Sequence, residues 1–184
     1  MILNIKHHTN YNFSSIVPRL VQSLKLFPTN CKNQKILDWK ISCTPGITED
    51  SHIDALGHRI YNIYSDNLEG NQVIVSEGKV ETKDYKGVMY GLQDKVNPIC
   101  FLRTTELTKP GNEILNLLNK IKRNNDEIKF CHNLNLIVAD SINFKSGSTD
   151  NSTSAENALK QKKGVCQDFA HILISLSRLT GNPA

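Results

Sequence analysis

A cysteine near the end of the chain stands where a nucleophile would be expected. It lies in Gly164-Val165-Cys166-Gln167-Asp168-Phe169-Ala170-His171, just after a glycine and at the front of an apolar helical pattern. A thiol attacks a carbonyl only as its thiolate, so its surroundings decide its reactivity. The positive end of a helix favours the anion, and an adjacent imidazole would take the proton. The pattern supplies the helix end. His171, five residues on, lies about 140° round the helix and about 7.5 Å along it, out of easy reach of the sulfur. Asp168 also faces away. His7, His8, His52, His58 and His132 are distant in sequence. The residues alone leave Cys166 open between a reactive thiol and a buried structural cysteine.

Little else in the sequence offers chemistry. The other cysteines, Cys31, Cys43, Cys100 and Cys131, are widely spaced and form no C-x-x-C pair, so zinc is not expected. His7 and His8 alternate on a strand and cannot readily share an ion. No metal or cofactor is expected. The net charge is +4, and the basic residues are scattered without a stripe of aromatics. Nucleic acid is therefore not expected as a partner. No signal-peptide core and no membrane-length apolar run is present, which points to a cytoplasmic protein without a membrane partner.

Two kinds of periodicity divide the chain. Residues 1–85 read as an all-β, sandwich-like domain of five to seven short strands. Leu3, Ile5, His7, Thr9, Tyr11 and Phe13 share one face of the first strand. Ser14-Ser15 with Pro18 reads as a bend, Asn67–Asn71 as a turn and Glu77-Gly78 as the centre of a hairpin. Trp39 and Tyr61 read as core aromatics. Residues 86–110, bounded by Pro98 and Pro110, read as a crossover. From 111 onward the period becomes helical, over 112–124 with Asn112 as cap and again after Asp126. Ile142–Lys145 reads as extended. Thr153 and Glu156 have capping-box spacing ahead of a helix over about 154–163, which Gly164 would stop. Cys166, Phe169, Ala170, Leu173, Leu176 and Ser177 would share one face of the last helix. The expected class is α+β.

The Gly164–His171 stretch resembles the nucleophile motif of bacterial transglutaminase-like cysteine hydrolases, a branch of the papain-like enzymes. Leu3–Tyr11, Ser23–Pro28 and Asp54-Ala55-Leu56-Gly57-His58 resemble landmarks of the β-domain that precedes the core in that family. Phe101–Thr105 resembles the link into the core. Gly147-Ser148-Thr149 and Ala155–Leu159 resemble the lead-in to the cysteine helix. The resemblance implies a partial transglutaminase-like core over 111–184, with Cys166 as the thiol nucleophile acting on an amide of a peptide or protein substrate. It implies a protease or amidase rather than a cross-linking enzyme. It also implies a histidine base and an orienting aspartate on strands after this helix, which the 184 residues do not include. The expectation is thus the N-terminal portion of such an enzyme, truncated and inactive by itself. The alternative is a non-catalytic protein-binding module.

Overall fold

The alternating N-terminus folds as one long strand. In the computed structural model, which describes residues 1–49, 51–92 and 95–184, β1 spans Ile2–Leu24. It is followed by β2 (Gln34–Thr44), β3 (Ile47–Thr48), β4 (His52–Ile53) and β5 (Arg59–Thr82). All pair antiparallel with β5, in the order β1-β5-β2, with short β3 and β4 also on β5. A single central strand therefore holds the whole sheet.

Three turn signals in the sequence do not end strands. Ser14 and Ser15 lie at a register shift between Phe13 and Val17 within β1, and Pro18 directly follows it. A bulge absorbs extra residues without stopping the ladder, and Pro is tolerated because β1 is an edge strand. Asn67 and Gly70 take positive φ, 49° and 74°, yet β5 continues through them. Glu77-Gly78 is not a hairpin centre. Gly78 sits mid-strand, paired with Ile5 on β1 and Trp39 on β2.

Alternation places Ile41, Ile63 and Ile74 in the core of this sheet, with Trp39, Cys43 and Tyr61 packed around them. Burial pushes the Cys43 thiol pKa up. Gln72 is fully buried, and its amide donates to the Pro45 carbonyl at 3.2 Å and to Ser65 Oγ at 3.1 Å. Those bonds satisfy its amide nitrogen, while its Oε1 is buried without a partner among the described residues. The Asp54–His58 turn is closed by one side chain: Asp54 Oδ1 accepts from the N–H groups of Leu56 (3.0 Å) and His58 (2.8 Å). Its Oδ2 accepts from Lys25 Nζ at 2.8 Å. That ammonium holds the Asp54 carboxyl well below the usual range, against the upward push of burial.

The chain forms two compact units, 1–96 and 97–184. The second contains α1 (Asn112–Leu118), α2 (Glu127–Ser141), α3 (Ala155–Gln161) and α4 (Cys166–Leu179). Two short strands, β6 (Asn143–Phe144) and β7 (Lys163–Gly164), pair in parallel. The protein is α+β. Ile114, Phe130, Leu134, Val138, Ile172 and Leu176 are buried together where the helices meet. No helix among the described residues is long and apolar enough to cross a membrane.

The helix starts show which sequence signals tertiary contacts displace. Asp126 caps α2 as its type suggests, accepting from Lys129 N–H at 3.1 Å. Asn112 does not cap α1; it is the first residue of that helix, and the helix ends at Leu118 rather than 124. The cap comes from α3. Glu156 Oε1 accepts from Glu113 N–H at 3.0 Å, and Oε2 from Ile114 N–H at 3.1 Å. Glu156 is thus drawn away from the box with Thr153, whose hydroxyl donates to Asp150 instead. Ser154 caps α3, accepting from Asn157 N–H at 3.3 Å. Lys162 in the left-handed conformation, not Gly164, ends α3.

Burial pushes the Glu156 carboxyl pKa up, but the two amides and Lys160 outweigh it, so the net shift is downward. A folded-state pKa below the unfolded value stabilises above the unfolded pKa, and that gain is lost as pH falls through the folded one. Glu156→Gln is expected to destabilise this unit by about 1–2 kcal/mol at pH 7, the usual scale for a lost cap. The gap from wild type should narrow as pH falls from 5 toward 3. Urea unfolding across that range checks it; a pH-independent gap would contradict the assignment.

Candidate functional site

Cys166 is the first residue of α4, with Val165 as the residue preceding the helix. The side chain is exposed and makes no hydrogen bond among the described residues. The buried residues of α4 are Asp168, Ile172, Ser175, Leu176 and Ser177. That stripe is rotated from the expected one. Ala170 is exposed, Phe169 and Leu173 are half-buried against the core, and Cys166 faces outward. Ile172 and Leu176 of the core cluster lie on the same inward face as Asp168.

Asp168 is completely buried. Its Oδ2 accepts from Val165 N–H at 2.7 Å and from the Thr149 hydroxyl at 2.6 Å. Asp168, two residues on from Cys166, does not contact the sulfur and instead binds the residue just before it. The far end of α4 is held too: Arg178 donates to the carbonyl of Phe101 at 2.9 Å and to Thr108 Oγ1 at 2.8 Å. The strand β7 feeds into the helix. Gly164 is paired with Phe144, and its carbonyl accepts from Lys145 N–H at 2.9 Å.

The amides of Cys166 and Gln167 lie in the first turn, where no intrahelical acceptor exists. Val165 has no side-chain acceptor to take them. They and the helix dipole therefore favour negative charge beside the sulfur. Among the described residues no histidine hydrogen-bonds to Cys166. His171 Nδ1 is buried without a partner, one helical turn beyond Asp168. His7, His8, His52 and His58 lie in the first unit, and His132 is an exposed residue of α2. Among the described residues no group of three metal-binding side chains comes together.

Comparison with known proteins covers both units. The bacterial transglutaminase-like N-terminal region matches residues 3–81, and the transglutaminase-like superfamily core matches residues 116–184. The chain is transglutaminase-like. The core match includes α4 and Cys166. A crystal structure described as "a Putative Cysteine Protease from Cytophaga hutchinsonii" superposes with a TM-score of 0.70 at 17% identity. The alignment covers 98% of this chain and 67% of that one. At that identity the likeness is one of fold, and it agrees with the transglutaminase-like assignment. No curated protein matches the sequence.

Proposed function

We propose that this transglutaminase-like chain carries the nucleophile of a thiol hydrolase or acyltransferase, with Cys166 attacking the amide carbonyl of a peptide or protein. One observation supports it most: within the stretch matched to the superfamily core, Cys166 is exposed at the first position of a well-anchored helix. In the reaction the thiolate forms a bond to the carbonyl carbon and the C–N bond breaks. The amine leaves with a proton, and a thioester remains. Water or a second amine then attacks that thioester and regenerates the thiol. The first-turn amides would favour the thiolate and the oxyanion. We assign no base, because no histidine contacts the sulfur in the described residues. Without one, turnover should fall by a factor of roughly 10²–10⁴, so thiol reactivity is the property to measure.

The same missing contact favours a second reading, a protein-binding module in which Cys166 has no chemical role. Alkylation separates the two. Iodoacetamide at limiting dose, followed by peptide mapping, should modify Cys166 on the order of tenfold faster than the exposed Cys100 and Cys131, as a helix N-terminus increases the thiolate fraction. Equal rates at the three thiols would favour the binding module.

A further inference from the structure

We propose that Asp168 and Thr149 form a clamp that positions Cys166, and that its geometry rather than its charge matters to the thiol. The inference rests on Cys166 being the nucleophile. At most helix starts a side chain preceding the helix accepts from amides of the first turn. Here the arrangement is reversed. The residue preceding the helix is Val165, which has no acceptor, and the acceptor is the carboxylate of Asp168 in the third helical position. Asp168 binds the backbone N–H of Val165 itself, and among the described residues the amides of Cys166 and Gln167 have no acceptor. An ordinary capping Ser, Thr or Asp at position 165 would compete with an incoming anion for the positive end of α4.

The clamp reaches beyond the helix. The same Oδ2 accepts from the Thr149 hydroxyl, nineteen residues earlier in the Ser146–Ser152 loop, at 2.6 Å. This joins the loop, the Val165 backbone and the first turn of α4 at one buried atom. The loop is itself held together at Asp150, whose carboxylate accepts from Ser152 N–H at 2.9 Å and from the Thr153 hydroxyl at 3.1 Å. Thr149 therefore transmits a fixed loop position to the residue before the nucleophile. The other carboxylate oxygen, Oδ1, is buried without a donor. A buried acceptor without a donor costs free energy, which argues that Asp168 is not there for stability alone. An asparagine could place its single oxygen where Oδ2 lies and keep both bonds.

The test measures alkylation of Cys166 in the 184-residue chain, with Cys131 in the same sample as internal reference and urea unfolding for every variant. Asp168→Asn and Thr149→Ser, which retain the clamp bonds, should keep the Cys166 rate within about twofold of wild type. Thr149→Val and Asp168→Ala should lower it on the order of tenfold, the scale of one lost buried hydrogen bond expressed in the reactive geometry. The Cys131 rate should not change. If Asp168→Ala fails to fold, the Thr149→Ser and Thr149→Val pair decides alone. A Thr149→Val rate equal to wild type overturns the clamp, as does a loss in Asp168→Asn as large as in Asp168→Ala. A wild-type Cys166 no faster than Cys131 overturns the nucleophile assignment instead, and so is distinguishable.

Discussion

Gly164→Ala is expected to disable the Cys166 site and weaken the second unit together. A Cβ at position 164 would lie 2.7 Å from both Cβ and Oδ2 of Asp168. Asp168 cannot yield cheaply. It is fully buried, and its Oδ2 already holds Val165 and Thr149. Either the carboxylate moves and both bonds are lost, or β7 moves and breaks its pairing with β6. Overpacking of this kind costs about 1–3 kcal/mol, and a lost buried hydrogen bond adds about 1–3 kcal/mol. Urea unfolding should show a loss of roughly 3 kcal/mol, at the upper end of the overpacking range. Alkylation of Cys166 should slow on the order of tenfold through the same broken hydrogen bond. A variant with wild-type stability and wild-type Cys166 reactivity would show that the close approach has no consequence.

Gly78→Ala should damage the first unit at least as severely. Gly78 lies on β5 between β1 and β2, and an added Cβ would come within 2.2 Å of the Asp38 carbonyl oxygen and 2.7 Å of Trp39 Cε3. The first of these is backbone, so no rotamer change relieves it. β2 would have to lift from β5 next to its register irregularity between Ile36 and Asp38. Trp39, whose indole N–H donates to the Leu26 carbonyl at 3.0 Å, would lose its seat against the Ile41–Ile63–Ile74 core. A destabilisation of about 3 kcal/mol or more is expected, at or above the top of the usual range for core overpacking. Lys79→Ala, one residue on and exposed, serves as the control and should fall within about 0.5 kcal/mol of wild type. Intrinsic Trp39 fluorescence during unfolding reports on this unit directly, since the chain has one tryptophan. Equal midpoints for Gly78→Ala and wild type would contradict the packing.

Both glycines were visible in the sequence and both were misread from it. Gly78 beside Glu77 looked like a turn, because glycine is common where the backbone must reverse. Gly164 after Lys162-Lys163 looked like a helix stop. Neither has a positive φ in the structure. Each is glycine because another part of the chain, Trp39 or Asp168, occupies the space a Cβ would need. A local pattern cannot distinguish these causes, since the neighbour in question is 39 residues away in one case and only 4 in the other. The Thr153–Glu156 pair fails for a related reason. Its spacing suits a local cap, but the unsatisfied amides of α1 compete for the same carboxylate and win.

The change from period two to helical period, and with it the α+β class, is legible in the residues alone. So are the start of α4 at Cys166, the Asp126 cap and the transglutaminase-like landmarks. These are local or composition-level properties, set by which side chains alternate, cap or repeat within a few residues. That β1 and β5 run unbroken through their turn-forming residues emerges from long-range pairing. A strand paired along its length gains more from its ladder than a single bulge or positive φ costs. Tertiary packing also decides which face of α4 is buried. Ile172 and Leu176 pack inward together with Asp168, which hydrogen-bonds Val165 and Thr149, and the thiol is left exposed at the positive end of the helix.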